Sequence, residues 1–490
     1  MLGKLNRYVK IVSIFFITAA LIAVMAGCVY PPPFPTCDLT ITSTVGGAVT
    51  TPGEGTFTYT LIETVKLVAM ADEGYCFVEW TGDVSTIADV KAATTTIFME
   101  NDYSITANFA IAIEICDWYG LDAIRDDLSG SYMLMNDLDS TTAGYNEMAS
   151  PTANGGKGWQ PIGTWIYGSI EQPFTGTFDG QGYEISELFI NRPDENCVGL
   201  FGYLGCGAIA KNIGVVNVNV TGDYYVGGLV GDNSGNVTTC YVTGSVAGFV
   251  GVGGLVGFSC LPDRICFEHP GQCIINDCYS MGSVTGTSDY GGVGGLVGGI
   301  SGPVTNSYST STVACSGDWV GGLVGVACGE VTGCYATGSV VGNSSVGGLV
   351  GVVGDGDVGC PQPGGSVSNS YALGNVVGDM YVGGLVGSNE GPVTNCYSIG
   401  KVVGNLSVGG LVGKNYYASN ASSSFWDTET SGQVTSDGGT GKTTAQMQDV
   451  ATFSGAIWDI IGVADSGTRN PSYIWNIVDG LTYPFLSWQP

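Results

Sequence analysis

The sequence predicts an all-β protein: a right-handed parallel β-helix of coils about 26 residues long, preceded by a small β domain. Three observations predict it. The hexapeptide Val-Gly-Gly-Leu-Val-Gly begins at Val226, Val252, Val293, Val320, Val346, Val382 and Val408, at intervals of 26, 41, 27, 26, 36 and 26 residues. A period of about 20–50 residues marks stacked supersecondary units, not one globular core. Glycine supplies 80 of the 490 residues, at fixed places in each unit with Val, Leu and Tyr between. That pattern suits tight turns and close backbone approach, and fits neither collagen nor a flexible linker. Each unit also holds three short apolar stretches, such as 382–386, 393–397 and 401–403, and no helix-length pattern. None can bury itself, but coils stacked about 4.8 Å apart pair each stretch with its equivalent in the next coil.

The N-terminal 27 residues read as a signal peptide. Lys4, Arg7 and Lys10 precede an apolar run from Ile11 to Ala26, which suits a signal core better than a membrane span of about 20 residues. Met25-Ala26-Gly27-Cys28 resembles the bacterial lipobox, with Met25 where Leu is commoner. The resemblance implies cleavage before Cys28 and a diacylglycerol on its sulfur, so that two or three acyl chains hold the protein on a membrane. An ordinary secretory signal or an uncleaved anchor is the alternative. Residues 28–36, with Pro31, Pro32, Pro33 and Pro35, form a stiff extended linker.

Residues 37–110 read as a β domain. Strands are expected at 39–43, 56–61, 65–69, 76–80, 94–99 and 104–109, punctuated by Gly46, Gly47, Pro52-Gly53 and Gly82-Asp83. The run from Gly74 through Tyr75, Cys76, Phe77 and Trp80 to Asp83, with 105–110, resembles the divergent B-repeat family first described in internalins. Glu79 departs from that pattern, which has Gly before the Trp. The resemblance implies a β-grasp-like spacer domain on a surface protein. Phe77 and Trp80 read as core residues in preference to a glycan platform.

Residues 111–195 are expected to cap the solenoid and form its first coils. Trp118, Leu121, Ile124 and Leu128 share a face at helical spacing, which predicts an amphipathic helix over 117–128. The repeats occupy 196–426, and 427–490 form a C-terminal cap. Gly384-Leu385-Val386-Gly387 followed by Asn395-Cys396-Tyr397 is similar to the GLUG-motif family. The flanks at 174–185 and in the tail share that likeness. The resemblance implies a β-helical solenoid on a bacterial surface or secreted protein and defines no catalytic residues.

Two ladders run through the repeats. Tyr241, Tyr279, Tyr308, Tyr335, Tyr371 and Tyr397 align, with Phe425 next; the preceding positions are Cys240, Cys278, Ser307, Cys334, Ser370 and Cys396. Adjacent strand positions face opposite ways, so an inward Cys/Ser ladder would put the tyrosines outside. The tyrosines read first as self-stacking that supports the sheet and second as a sugar-binding aromatic strip. Insertions at 258–275 and 352–365 predict loops on one side, candidates for recognition.

Fourteen basic and 43 acidic residues give a net charge of −29, which repels phosphate backbones and excludes nucleic acid as the expected partner. The sixteen cysteines favour disulfides in an exported chain. Cys37 and Cys76 are expected to bridge. Cys260, Cys266 and Cys273 surround the only histidine, His269; a local disulfide, with Cys278 as a further partner, is preferred over a Cys3His zinc site, whose spacing is missing. One histidine leaves little room for hydrolase schemes, and no His-Glu-x-x-His motif occurs. The run from Gly438 to Thr443 lacks the first glycine of a phosphate loop, because Ser436 stands there, so no nucleotide is expected. Asp232, Asp289, Asp318, Glu330, Asp379 and Glu390 occur singly, and Asp355 with Asp357 reads as an acidic turn, not the paired carboxylates of a polysaccharide-processing enzyme. No cofactor or metal is expected. The resulting expectation is a non-enzymatic surface lipoprotein contacting a membrane through its lipid and a surface glycan or protein through its solenoid. A polysaccharide-processing β-helix enzyme or a purely structural envelope component is the alternative.

Overall fold

Apolar residues alternate along the chain from Thr36, and strands follow. The computed structural model describes residues 35–489 apart from Glu73 and segments 165–171, 261–272, 355–359, 361–363 and 418–420. Two compact units meet in sequence at Ala110 and Ile111.

The first unit contains β1 (Thr36–Ser43), β2 (Gly47–Thr51), β3 (Gly55–Thr60), β4 (Thr64–Ala71), β5 (Tyr75–Gly82), β6 (Thr94–Phe98) and β7 (Tyr103–Ile111). They form sheets of order β3-β1-β7-β5 and β2-β4-β6. Leu39, Ile41, Leu67, Ile97 and Ile105 fill the core. Phe77 and Trp80 lie in it too, ring centroids 5.6 Å apart, and the Trp80 indole N–H donates to the Ala92 carbonyl at 3.0 Å. The sequence reading had no place for β2, because its flanking Gly46-Gly47 and Pro52-Gly53 look like punctuation alone.

The expected Cys37–Cys76 bridge is absent: both are buried free thiols. Cys37 is on β1 and Cys76 on β5, with β7 between them. Strands two places apart lie about 9.5 Å from each other, beyond the Cα separation a disulfide spans.

The second unit is the β-solenoid. One coil shows its plan: Met380–Gly383 forms wall one, Val386–Asn389 wall two, Val393–Thr394 wall three, and Tyr397–Ser398 with Val402–Val403 the tyrosine wall. Among the described residues these walls hold 7, 8, 11 and 15 strands. Coil-to-coil pairing along the repeats is parallel and in register, Val346 beside Val382 beside Val408. The first two apolar stretches expected in each unit therefore each bend into two walls.

The hexapeptide performs the first bend. Val382, Leu385 and Val386 are fully buried, each contributing about 1.5–3 kcal/mol by leaving water. Its glycines stand where no side chain fits. A Cβ on Gly383 would lie 1.9 Å from the Val386 carbonyl oxygen, one on Gly384 2.1 Å from that of Gly410, and one on Gly387 2.5 Å from Val346 N. Across the interior, Gly384 faces Ser398, and the equivalent positions are small as well: Ser280, Ser309, Ala336 and Ala372.

The second bend is one residue in the left-handed region, Asn306, Asn369 and Asn395 at φ 47°, 48° and 54° and Gly333 at 65°; Asn and Gly tolerate it best. The next residue turns inward, so the Cys/Ser ladder lies in the core. Its backbone N–H donates to the side chain one coil on: Cys278 to Ser307 Oγ at 3.0 Å, Cys334 to Ser370 Oγ at 3.0 Å, Cys396 to Ser424 Oγ at 3.1 Å. The same side chains donate to the carbonyl two residues back, Ser370 Oγ to Ser368 at 2.7 Å. Serine and cysteine interchange here because each is a small donor and acceptor.

Aromatic residues close both ends. Helix α1 (Trp118–Asp122), capped by the Asp117 carboxylate on Gly120 N, is shorter than expected and continues as a 3-10 turn, Ala123–Asp126. Its anchors Trp118, Leu121 and Ile124 are three residues apart, the spacing that a 3-10 turn superimposes. At the other end Trp426 fills the space that Ser398 and Ala372 leave in earlier coils, and its indole N–H donates to Gln433 O at 2.9 Å. The strand Thr440–Lys442 pairs with Phe425–Asp427; this is the role of the glycine-rich run that superficially suggests a phosphate loop.

Gly384→Ala should lower unfolding free energy by about 1–3 kcal/mol or more, whereas Gly462→Ala, with no atom near its Cβ, should change it by less than about 0.5 kcal/mol; denaturant titration separates the two. Alkylation of the oxidised protein followed by peptide mass mapping should label Cys37 and Cys76 on unfolding without any reductant. Burial raises the Cys334 and Cys396 thiols from 9.0 to about 12. The unfolded chain thus loses these protons first, and stability falls as pH rises from about 9 towards 12. The double variant Cys334→Ser/Cys396→Ser should show a shallower alkaline decline of its denaturation midpoint.

Candidate functional site

Because the Cys/Ser ladder points inward, strand alternation sends the next residue outward, and all six tyrosines stand on the outer face of their wall. Their rings stack: successive centroids from Tyr241 to Tyr397 are 4.7, 4.9, 4.7, 5.1 and 4.9 Å apart, with interplanar angles of 2–9°. In-register coils impose this spacing. Ring faces are thereby occupied by neighbouring rings, and ring edges and hydroxyls point outward.

The tail does more than close the end of the column. It runs back over the tyrosine wall. Trp458 and Trp475 lie 6.5 and 5.9 Å from Tyr397, Trp475 lies 6.0 Å from Tyr371, and Trp488 lies 5.9 and 6.5 Å from Tyr335 and Tyr308. The Tyr397 hydroxyl donates to Pro484 O at 2.5 Å. Asp427 anchors the return, accepting from Tyr483 at 2.8 Å and Thr444 at 2.7 Å. Tyr335, Tyr371 and Tyr397 are buried as a result, and burial pushes the Tyr371 and Tyr397 phenols well above their ordinary range. The signal for this cover was present in the sequence as Trp458, Trp475 and Trp488, but nothing there showed which surface they meet.

Tyr241, Tyr279 and Tyr308 remain half-buried. Beside the first two lies an open groove of about 430 Å³, lined by their edges and by the corner residues Gln181, Asn212, Thr239 and Asp277. The Tyr241 hydroxyl donates to the Glu184 carboxylate, and burial followed by that carboxylate raises the Tyr241 phenol. The stack starts here because Gly214 pairs with Tyr241 and offers no ring.

Both insertions leave at the corner between walls two and three. Cys260 and Cys273 form a disulfide with a Cα separation of 5.8 Å, closing the first. A second disulfide, Cys328–Cys360, at 5.2 Å, ties the second insertion to the preceding coil. Cys206, at the same corner of an earlier coil, is disulfide-bonded too. Cys278, expected as a bridge partner, is instead a free member of the buried ladder, its thiol donating to the Val237 and Asn276 carbonyls at 3.5 and 3.2 Å. Cys266, His269, Asp355, Asp357 and the lipidation candidate Cys28 lie outside the described residues.

Two of the acids that occur singly in the repeats are taken up in hydrogen bonds between coils. Asp318 accepts from Asn343 Nδ2 at 2.9 Å and Ser344 N at 3.1 Å; Asp379 accepts from Asn405 Nδ2 at 2.6 Å. They stitch one coil to the next. Among the described residues no group of three or more His, Cys, Asp and Glu is placed to hold a metal, and no helix is long and apolar enough to cross a membrane.

Residues 37–113 match the divergent InlB B-repeat domain family, and residues 378–403 match the GLUG motif. The chain is 37% identical over 130 residues to Halomucin of Haloquadratum walsbyi. It is 36% identical over 125 residues to a candidate Gly-rich membrane protein of Evansella cellulosilytica. These alignments span 26% and 24% of this chain but only 1% and 12% of the relatives. Among solved structures, a candidate immunoglobulin A1 protease from Bacteroides ovatus aligns over 78% of this chain and 93% of its own, at 20% identity and a TM-score of 0.40. An IgA1 protease aligns over 80% of this chain and 29% of its own, at 15% identity and the same TM-score of 0.40. The protein is thus built from a divergent InlB B-repeat domain followed by a β-solenoid that carries the GLUG motif.

Proposed function

We propose that the protein is a non-enzymatic lipoprotein of the cell exterior, held on a membrane through lipid on Cys28, whose solenoid makes adhesive contact with a surface glycan or matrix polymer. The observation that carries this reading is the pair of disulfides, Cys260–Cys273 and Cys328–Cys360, at one corner of the column. Disulfides persist in oxidising compartments outside the cytosol. Here they pin the two inserted segments, and loops on one side of a solenoid are its usual contact surface.

Other features support the same reading. The B-repeat family match lies just before the solenoid, and a relative over part of the chain is named as a membrane protein. The tyrosine wall keeps an open groove at one end, where hydroxyls and carboxamides can meet a polyhydroxyl ligand. Asp318 and Asp379 serve coil-to-coil hydrogen bonds, which favours contact over glycoside cleavage, since cleavage needs two carboxyl groups flanking the bond to be cut.

The test uses the full chain in a bacterial host that carries out lipidation. Wild type should incorporate labelled fatty acid, fractionate with membranes, and be accessible on intact cells. Cys28→Ser should lose the label and leave the membrane fraction. Cells displaying the wild type should be retained on an immobilised polysaccharide panel more than cells lacking it. Unlabelled wild type would remove the anchor, and no retention on any polysaccharide would remove the glycan contact.

A further inference from the structure

The left-handed corner beside the tyrosine wall carries a polar side chain at Asn212, Thr239, Asp277, Asn306, Asn369, Asn395 and Ser423. Between Asn306 and Asn369 the same corner is Gly333, with the same backbone conformation, φ 65°. Its missing side chain leaves a notch between the carboxamides of Asn306 and Asn369. The returning tail forms its other side, and the open cleft measures about 290 Å³, with Thr332, Asp459 and Trp488 also on its walls.

Trp488 points to what the notch holds. Its rings lie against Tyr308 and Tyr335, while its buried indole N–H has no hydrogen-bond partner among the described residues. A Cβ on Gly333 would stand 3.0 Å from Asn306 Oδ1 and 3.7 Å from that nitrogen, so the carboxamide oxygen and the indole nitrogen both border the space the glycine leaves open. An unmet buried donor is destabilising, and such groups are rare unless something else supplies the acceptor.

The acceptor's chemistry follows from the walls. The indole only donates, a carboxamide both donates and accepts, and a carboxylate accepts. A ligand that meets all three carries several hydroxyl groups, each donor and acceptor at once. Asp459 and the net charge of −29 disfavour an anion. A cavity at the lower limit of ordinary ligand sites, about 300 Å³, admits one ring and no large cofactor. The geometry points to a binding site for a single neutral hexose unit in the Gly333 notch, its hydroxyls taking the Trp488 indole N–H and the Asn306 and Asn369 carboxamides. The choice of a sugar rests on the reading of the protein as a glycan-contacting one; the site itself is separate from the open groove at Tyr241 and Tyr279.

Gly333→Asn tests it. Asn occupies this corner in four other coils, Asn212, Asn306, Asn369 and Asn395, so the variant keeps the backbone, while its side chain fills the notch beneath Trp488. The purified full chain, labelled with nitrogen-15 and with the Trp488 indole resonance assigned from Trp488→Phe, would be titrated with glucose, galactose and mannose and their methyl glycosides. At least one sugar should shift that resonance saturably. Gly333→Asn should keep the wild-type thermal unfolding and weaken the response about tenfold or more, and Asn369→Ala should weaken it as well. No shift with any of the sugars, leaving ordered water as the notch's occupant, overturns the proposal; so does an equal response in Gly333→Asn. Surface exposure and retention on polysaccharide through the open groove are measured independently, so failure at the notch leaves the adhesive reading standing.

Discussion

Equivalent residues in successive coils must sit one strand spacing apart, about 4.8 Å, and the rest of the solenoid follows from that requirement. At the hexapeptide bend, two chain segments approach until only hydrogen atoms fit between them, which is why Gly348 and Gly384 are glycines. Where the interior narrows opposite them, Ser398 and Ala372 are small; where the column ends, Trp426 can be large because no further coil must be accommodated. Val382, Leu385 and Val386 then fill what remains. The stability of such an array is a sum of coil and interface contributions, so a residue that fits one coil must also fit its neighbours.

The same spacing shapes the tyrosine wall. Rings repeating at one strand spacing stack on each other, with centroids 4.7–5.1 Å apart. The stack reinforces the sheet and gives up ring faces that could otherwise meet a sugar. What it presents outward is a line of hydroxyls and edges next to a line of corner side chains. Part of that surface is covered by the protein's own tail through Trp458, Trp475 and Trp488, and part stays open beside Tyr241 and Tyr279. The stacked faces leave grooves between ladders and interruptions of ladders, such as Gly333, as the surfaces on which the proposed recognition is placed.

Two groups of cysteines in the solenoid differ in state by position. Those in the interior ladder, Cys240, Cys278, Cys334 and Cys396, act as small hydrogen-bonding core residues and remain thiols. Those at the insertion corner are oxidised. A disulfide reduces the freedom of the unfolded chain across the segment it closes. Within the ladder, strand pairing already holds each side chain in place.

The sequence by itself determined the all-β class, the coil of about 26 residues, the seven in-register units and the two insertions, because each is a matter of periodicity that any reader of Val226 to Val408 can recover. It determined the alternation of the Cys/Ser and Tyr ladders but not their orientation. Only the tertiary structure decided that, through the left-handed residue at each corner, whose effect depends on which way the next wall turns. The same holds for Cys37 and Cys76: two cysteines in one small domain suggest a bond, and the placing of β7 between their strands prevents it. The cover over Tyr335, Tyr371 and Tyr397 was also beyond the sequence, since residues 427–490 lack the repeat and their partners are chosen by long-range packing of tryptophans. Local pattern encodes how one coil meets the next; which faces stay open depends on contacts between segments that share no register.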